Sequence, residues 1–143
     1  MTAAHIEEAG RLLHIAHTDF VACIALLNAP GVRFANAAFH GQQAAEKRLK
    51  AVLTLHGINF GRTHNLVALA GQLAEVGQQA PVSTEQLSLI NPYAVTLRYD
   101  DIDIELVSPS ALREAVETLL KWAEQILARL PLINDAVPPA STI

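Results

Sequence analysis

The chain is poor in most residue classes that advertise a function. Cys23 is its one cysteine in 143 residues, so no intramolecular disulfide can form and a reducing compartment suits it. Four Phe, two Tyr and one Trp are its only aromatics, which leaves Ala, Leu, Val and Ile to build the interior. Seven Gly and seven Pro exclude a collagen-like chain. Charged residues make up 17% and the net charge is −4. That is too apolar a balance for disorder, and it lacks the basic excess of a general nucleic-acid binder, although a local basic stripe stays open. The longest uncharged apolar run, Phe20 to Val32, has 13 residues and includes Asn28, Pro30 and Gly31. A membrane span needs about 20 residues, so no membrane partner is expected. No basic region followed by an apolar one opens the chain, and the expected location is cytoplasmic.

What is present is apolar weight. It reaches 51% of residues, with a mean hydropathy of +0.26, high for a small soluble monomer. Either the core is unusually complete or part of the apolar surface lies against a partner. The length fits one domain, read as 1–130, with 131–143 as a loose tail containing Pro138-Pro139.

Apolar residues recur at the 3-4 spacing of a helix face. Ile6, Ala9, Leu13, Ala16, Phe20, Cys23 and Leu27 predict a first helix over Ala3 to Leu27, capped by Thr2 and stopped by Asn28-Ala29-Pro30-Gly31. Phe34, Ala38, Gly41, Ala45, Leu49 and Val52 predict a second, over Val32 to His56, with Gly57 ending it. Gly41, Ala37, Ala38 and Ala45 would let a neighbouring helix approach closely. These two should pack as an antiparallel hairpin. Thr63 is the expected N-cap of a third helix reaching Val76, with Leu66, Leu69, Leu73 and Val76 inward. A short helix starts at Ser83-Thr84-Glu85-Gln86 and ends near Asn91-Pro92. Tyr93 to Val107 reads as extended or irregular, and Asp100-Asp101-Ile102-Asp103 within it must be solvated or paired. Ser108-Pro109 opens a last helix to about Leu130. The expected fold class is all-α, an up-and-down antiparallel helical bundle of four to five helices.

Three places could carry chemistry. The second helix opposes its apolar arc with Arg33, Asn36, His40, Gln43, Lys47, Lys50 and Thr54. This stripe is either a solvated face or a cleft whose donors hold phosphate. Gln42 falls inside the apolar arc, so its amide must be hydrogen-bonded and should tie the helix to another segment. Glu46 borders that arc and can pair with Lys50 at i,i+4. Arg62-Thr63-His64 at a helix start would make an anion site from backbone N–H groups and two cationic or titratable side chains; alternatively, His64 packs over the loop and Arg62 is solvated. Arg98-Tyr99-Asp100-Asp101, following Asn91-Pro92-Tyr93, is either functional loop chemistry or a salt bridge and Tyr plug pinning the segment to the bundle. No nucleophile elbow, Gly-rich phosphate loop or metalloprotease motif occurs. His14 and His17 have no nearby Cys, Asp or Glu to complete a metal set, so neither metal nor cofactor is expected.

Ala38-Phe39-His40-Gly41-Gln42-Gln43-Ala44-Ala45-Glu46-Lys47-Arg48-Leu49-Lys50-Ala51 resembles the signature of the HEPN domain family (higher eukaryotes and prokaryotes nucleotide-binding). Arg62-Thr63-His64-Asn65-Leu66 and Tyr93 with Arg98-Tyr99-Asp100-Asp101 match it further, in the family's order, over about Ala3 to Leu130. The resemblance implies a helical bundle, often a homodimer, similar to the C-terminal domain of kanamycin nucleotidyltransferase. Many members partner a minimal nucleotidyltransferase, in several cases as a toxin–antitoxin pair. Others are metal-independent ribonucleases with an Arg-x4–6-His motif near the last helix, paired across a dimer.

This chain departs from the ribonuclease pattern, because no His follows His64. Arg33 and His40, with six residues between them, match the spacing elsewhere and are the candidate catalytic pair. The expectation is a non-catalytic protein that binds a nucleotide or a nucleotidyltransferase partner through His40, Gln43, Lys47, Lys50, Arg62, His64, Arg98 and Tyr99. The alternatives are a dimeric ribonuclease acting on RNA and a purely structural interaction bundle.

Overall fold

The computed structural model describes residues 1–95 and 104–130. It contains α1 (Ala3–Leu27), α2 (Phe34–Leu55), α3 (Leu66–Glu75), α4 (Thr84–Ile90), a 3-10 turn over Asn91–Ala94, and α5 (Pro109–Ala128). The protein is an all-α bundle, and its described residues include no strand.

The helix ends follow local chemistry. Thr2 Oγ1 accepts from the His5 amide at 3.1 Å while His5 Nδ1 accepts from the Thr2 amide at 3.3 Å, so histidine completes a capping box more often closed by Glu. Glu8 lies beyond the first turn and is held instead by Arg11, whose hydrogen bonds lower its carboxyl pKa. At the end of α2, Gly57 takes φ +70°. Its amide and that of Ile58 return to the carbonyls of Thr54 and Leu53 at 2.9 and 3.0 Å, the Schellman pattern that needs a left-handed residue. Ser83 and Ser108 cap α4 and α5 through the amides of Gln86 and Ala111.

The third helix starts later than expected. Asn65, not Thr63, is its N-cap, accepting from the Ala68 amide at 3.1 Å. Thr63 Oγ1 is spent on the Asn65 amide, also at 3.1 Å. Leu66, Leu69 and Leu73 face inward as their spacing requires, but Val76 closes the helix and is exposed.

On α1, Ala9, Ala16 and Cys23 are fully buried at intervals of seven, and small residues at that spacing make a narrow seam for close packing. His5 lies beside Gly57, and Ala9 packs with Ala51 and Leu55, so α1 and α2 are antiparallel. The direction of α5 follows from Leu112 beside Gly41, Arg48 on Val116, and Ile126 near Leu55. It runs with α2 and against α1. The chain reaches that position through α3 and α4, which cover another side of α2. Tyr93 fastens this connection: its hydroxyl donates to the Ile104 carbonyl and accepts from the Leu106 amide at 2.9 Å, and its ring meets Phe34 edge-on at 5.5 Å.

Gly41 marks the crossing of the three long helices. A Cβ there would stand 3.0 Å from Leu112 and 3.2 Å from Cys23 Sγ, whereas one on Gly10 would meet nothing within 4 Å. Gly41→Leu should lower stability to urea by about 2 kcal/mol or more through overpacking. Gly10→Ala should raise it by roughly 0.5–1 kcal/mol through helix propensity. Equal effects of the two changes would refute this crossing.

Candidate functional site

From His40 to Lys50 the polar stripe of α2 is neither a solvated face nor an open cleft, while Asn36 near its start is exposed. α1 lies along it and places Asp19 between His40 and Lys47, two helical turns apart. Asp19 Oδ1 meets His40 Nδ1 at 3.1 Å and its Oδ2 accepts from Lys47 Nζ at 2.5 Å. The side chains of Asp19 and Lys47 are only 15% and 21% exposed, so each charge depends on the other for the solvation that burial removes.

Further along α2 the arrangement repeats. The buried Glu46 carboxylate accepts from Lys50 Nζ at 3.0 Å and meets His64 Nδ1 at 3.0 Å through the same oxygen, Oε2. Lys50 also lies 5.2 Å from the Phe60 ring centroid, over its face. Two amides join the halves. Lys47 Nζ donates to Gln43 Oε1 at 3.3 Å, Gln43 Nε2 to Gln42 Oε1 at 2.8 Å, and Gln42 Nε2 to Glu46 Oε1 at 3.3 Å and the His64 carbonyl at 3.2 Å. Gln42 thus ties α2 to the loop before α3, as its place in the apolar arc required.

His40, Gln43, Lys47, Lys50 and His64 therefore share one hydrogen-bonded row. Arg62 does not join it and is exposed on the loop. Arg33 is the N-cap residue of α2, seven residues before His40 and roughly 10 Å along the helix. Arg98, Tyr99 and the Asp100–Asp103 stretch lie outside the described residues. At the start of α3 the anion site expected from Arg62-Thr63-His64 is partly taken: Asn91 Oδ1 accepts from the Leu66 amide at 2.9 Å and Asn65 from that of Ala68. His64 turns its Nδ1 to Glu46, with 65% of its side chain exposed. A shallow pocket of about 220 Å³ beside it is lined by Asn65, Asn91, Pro92, Ala94 and Val95.

Sequence reasoning missed two residues. Asp19 is the sole charge between Leu12 and Val32, and an acid set in an apolar helix is the signal that could have marked it. Arg48 stands four residues before Val52 and three after Ala45 on the apolar arc, and is 1% exposed. Its Nη1 donates to the Val116 carbonyl of α5 at 2.7 Å, its guanidinium sits 5.3 Å from the Phe20 centroid, and its Nη2 has no partner. Burial pulls its pKa down to about 10, opposed by Glu124 and Asp19, so it stays charged at neutral pH. Burial likewise pushes the Cys23 thiol up to about 11, which keeps it un-ionised and inert at neutral pH.

The row offers little uncompensated positive charge, since each lysine shares a carboxylate with a histidine. Pockets among the described residues are shallow, as in the groove of about 370 Å³ along Ser110, Arg113, Glu117 and Lys121 of α5. The same residues gather no set of three His, Cys, Asp or Glu groups able to hold a metal ion. A family model described as HEPN domain matches residues 9–133, most of the chain. Comparison with curated proteins and with solved structures gave no match.

Arg48 generates the prediction for this site. A buried cation with one donor unmet is costly, and an apolar group of similar length relieves that cost. Arg48→Met should leave stability unchanged or raise it by up to about 2 kcal/mol in urea titration, whereas Arg48→Ala should lower it by about 2 kcal/mol or more through a cavity. A large loss on Arg48→Met would mean that the guanidinium has a further partner.

Proposed function

The chain belongs to the HEPN domain family, and from that membership we propose that it is a non-catalytic helical binding module whose partner is a minimal nucleotidyltransferase. The observation that carries this reading is the poor coverage of α1. By length and composition this helix is apolar enough to cross a membrane, yet only Ala9, Ala16 and Cys23 of its 25 residues are buried. Val21 is 53% exposed, with Ala25 beside it and Ile24 and Leu26 half covered. Val21 and Ala25, one turn apart, form a small exposed apolar spot on this helix, and with the positive mean hydropathy they support a protein interface. The paired charges of the α2 row favour a protein over a phosphate-rich ligand, which needs cations and donors not already spent on carboxylates.

One contact favours the ribonuclease alternative. Asp19 holds His40 at Nδ1, which leaves Nε2 as the nitrogen that could serve as a base. Arg33 lies on the same face of α2, two turns away.

Light scattering and titration against a minimal nucleotidyltransferase separate the readings. The proposal expects a complex that Val21→Glu weakens at least about tenfold, equivalent to roughly 1.4 kcal/mol. A monomer without affinity for that protein would refute it. RNA cleavage in excess EDTA that disappears with His40→Ala would establish the ribonuclease instead.

A further inference from the structure

The hydrogen bonds from Lys47 through Gln43 and Gln42 run in one direction. An ammonium has three donors and no acceptor, so Gln43 must turn Oε1, not Nε2, toward Lys47. That choice aims Gln43 Nε2 at Gln42, which must then present its own Oε1. Gln42 is left with Nε2 facing the other way, where Glu46 and the His64 carbonyl both accept. Turning either amide over would set donor against donor. The charge of Lys47 thereby reaches the loop before α3, although Lys47 itself bonds to Asp19 and Gln43.

We infer that Lys47 is a positioning residue for this loop, acting through the oriented amides of Gln43 and Gln42 to hold His64 and the start of α3 on α2. The bond from Gln42 to the His64 carbonyl crosses from helix to loop, beside the contact of Glu46 with the His64 ring. The neighbouring Asn65 caps α3, and its amide is fixed by Thr63. His64 projects into solvent from this held backbone, beside the pocket formed with Asn91 and Pro92. Asp19 has a different part. It fastens Lys47 and His40 to α1, whereas the amides are oriented by the ammonium against Gln43 at one end and by the Glu46 and His64 acceptors against Gln42 at the other.

Three variants of the full chain separate these roles, read by NMR through the side-chain amide signals of Gln42, the His64 ring signals and hydrogen exchange at Asn65 and Leu66. Lys47→Met should shift the Gln42 and His64 signals and speed exchange at the two amides about tenfold, as expected for losing one hydrogen bond. Gln43→Leu should do the same while Lys47 and Asp19 are both in place. Asp19→Asn, which keeps the ammonium, should move His40 signals and leave the loop exchange unchanged. The inference is overturned if Lys47→Met leaves Gln42 and His64 unmoved, if Gln43→Leu leaves the loop exchange unchanged, or if Asp19→Asn loosens the loop as much as Lys47→Met does.

Discussion

Everything in this fold depends on the enclosure of α2. α1 covers one side, α5 a second, and α3 with the 3-10 turn a third. Of its 22 residues, 15 are buried, so a helix patterned as amphipathic has almost no face to give to water. Its polar side chains must find partners inside the molecule, because a buried group without one loses its hydration uncompensated. The hydrogen-bonded row from His40 to His64 answers that constraint. Each neighbour supplies what the next segment lacks: Asp19 from α1, Glu46 from α2 itself, and the His64 carbonyl from the loop.

Arg48 shows the same constraint met incompletely. It satisfies one nitrogen on α5 and leaves another without an acceptor. A buried cation in that condition adds little to stability, and its bond to the Val116 carbonyl ties α2 to α5 at that level. Close approach of the three helices has a separate origin in small residues. Gly41 faces Cys23 and Leu112, with the Ala9, Ala16 and Cys23 seam running beside it. The core is dense with few large rings, Tyr93 and Phe34 being the buried pair. The large apolar side chains left exposed are scattered, with Val21 on α1 and Val76, Leu89, Val95, Ile104 and Leu106 elsewhere.

The apolar stripes, the Thr2, Ser83 and Ser108 caps, the Gly57 stop and the tie made by Gln42 were all legible in the sequence, because each depends on spacing or on one residue's own chemistry. The misses share a cause. Periodicity tells which face of a helix is apolar and is silent about which neighbour covers the other face. The stripe of His40, Gln43, Lys47 and Lys50 therefore read as solvent or cleft, and Asp19 went unremarked on its own helix. Thr63 and Asn65 are both competent caps, and the choice fell to Asn65 because Thr63 is engaged with its amide. The shared direction of α2 and α5 arises from the connection through α3 and α4, which no local pattern encodes.

The central claim is that the α2 row is an enclosed network rather than a solvated surface, and the pair formed by Asp19 and Lys47 is where the two differ most. A double-mutant cycle with Asp19→Asn and Lys47→Met, followed by urea unfolding in 0.15 M salt, measures their pairwise coupling. The enclosed network predicts a coupling of about 1–2 kcal/mol, above the range of exposed ion pairs and little changed in 1 M salt. A coupling near zero, or one abolished by salt, would place the row on a solvated face and contradict the account.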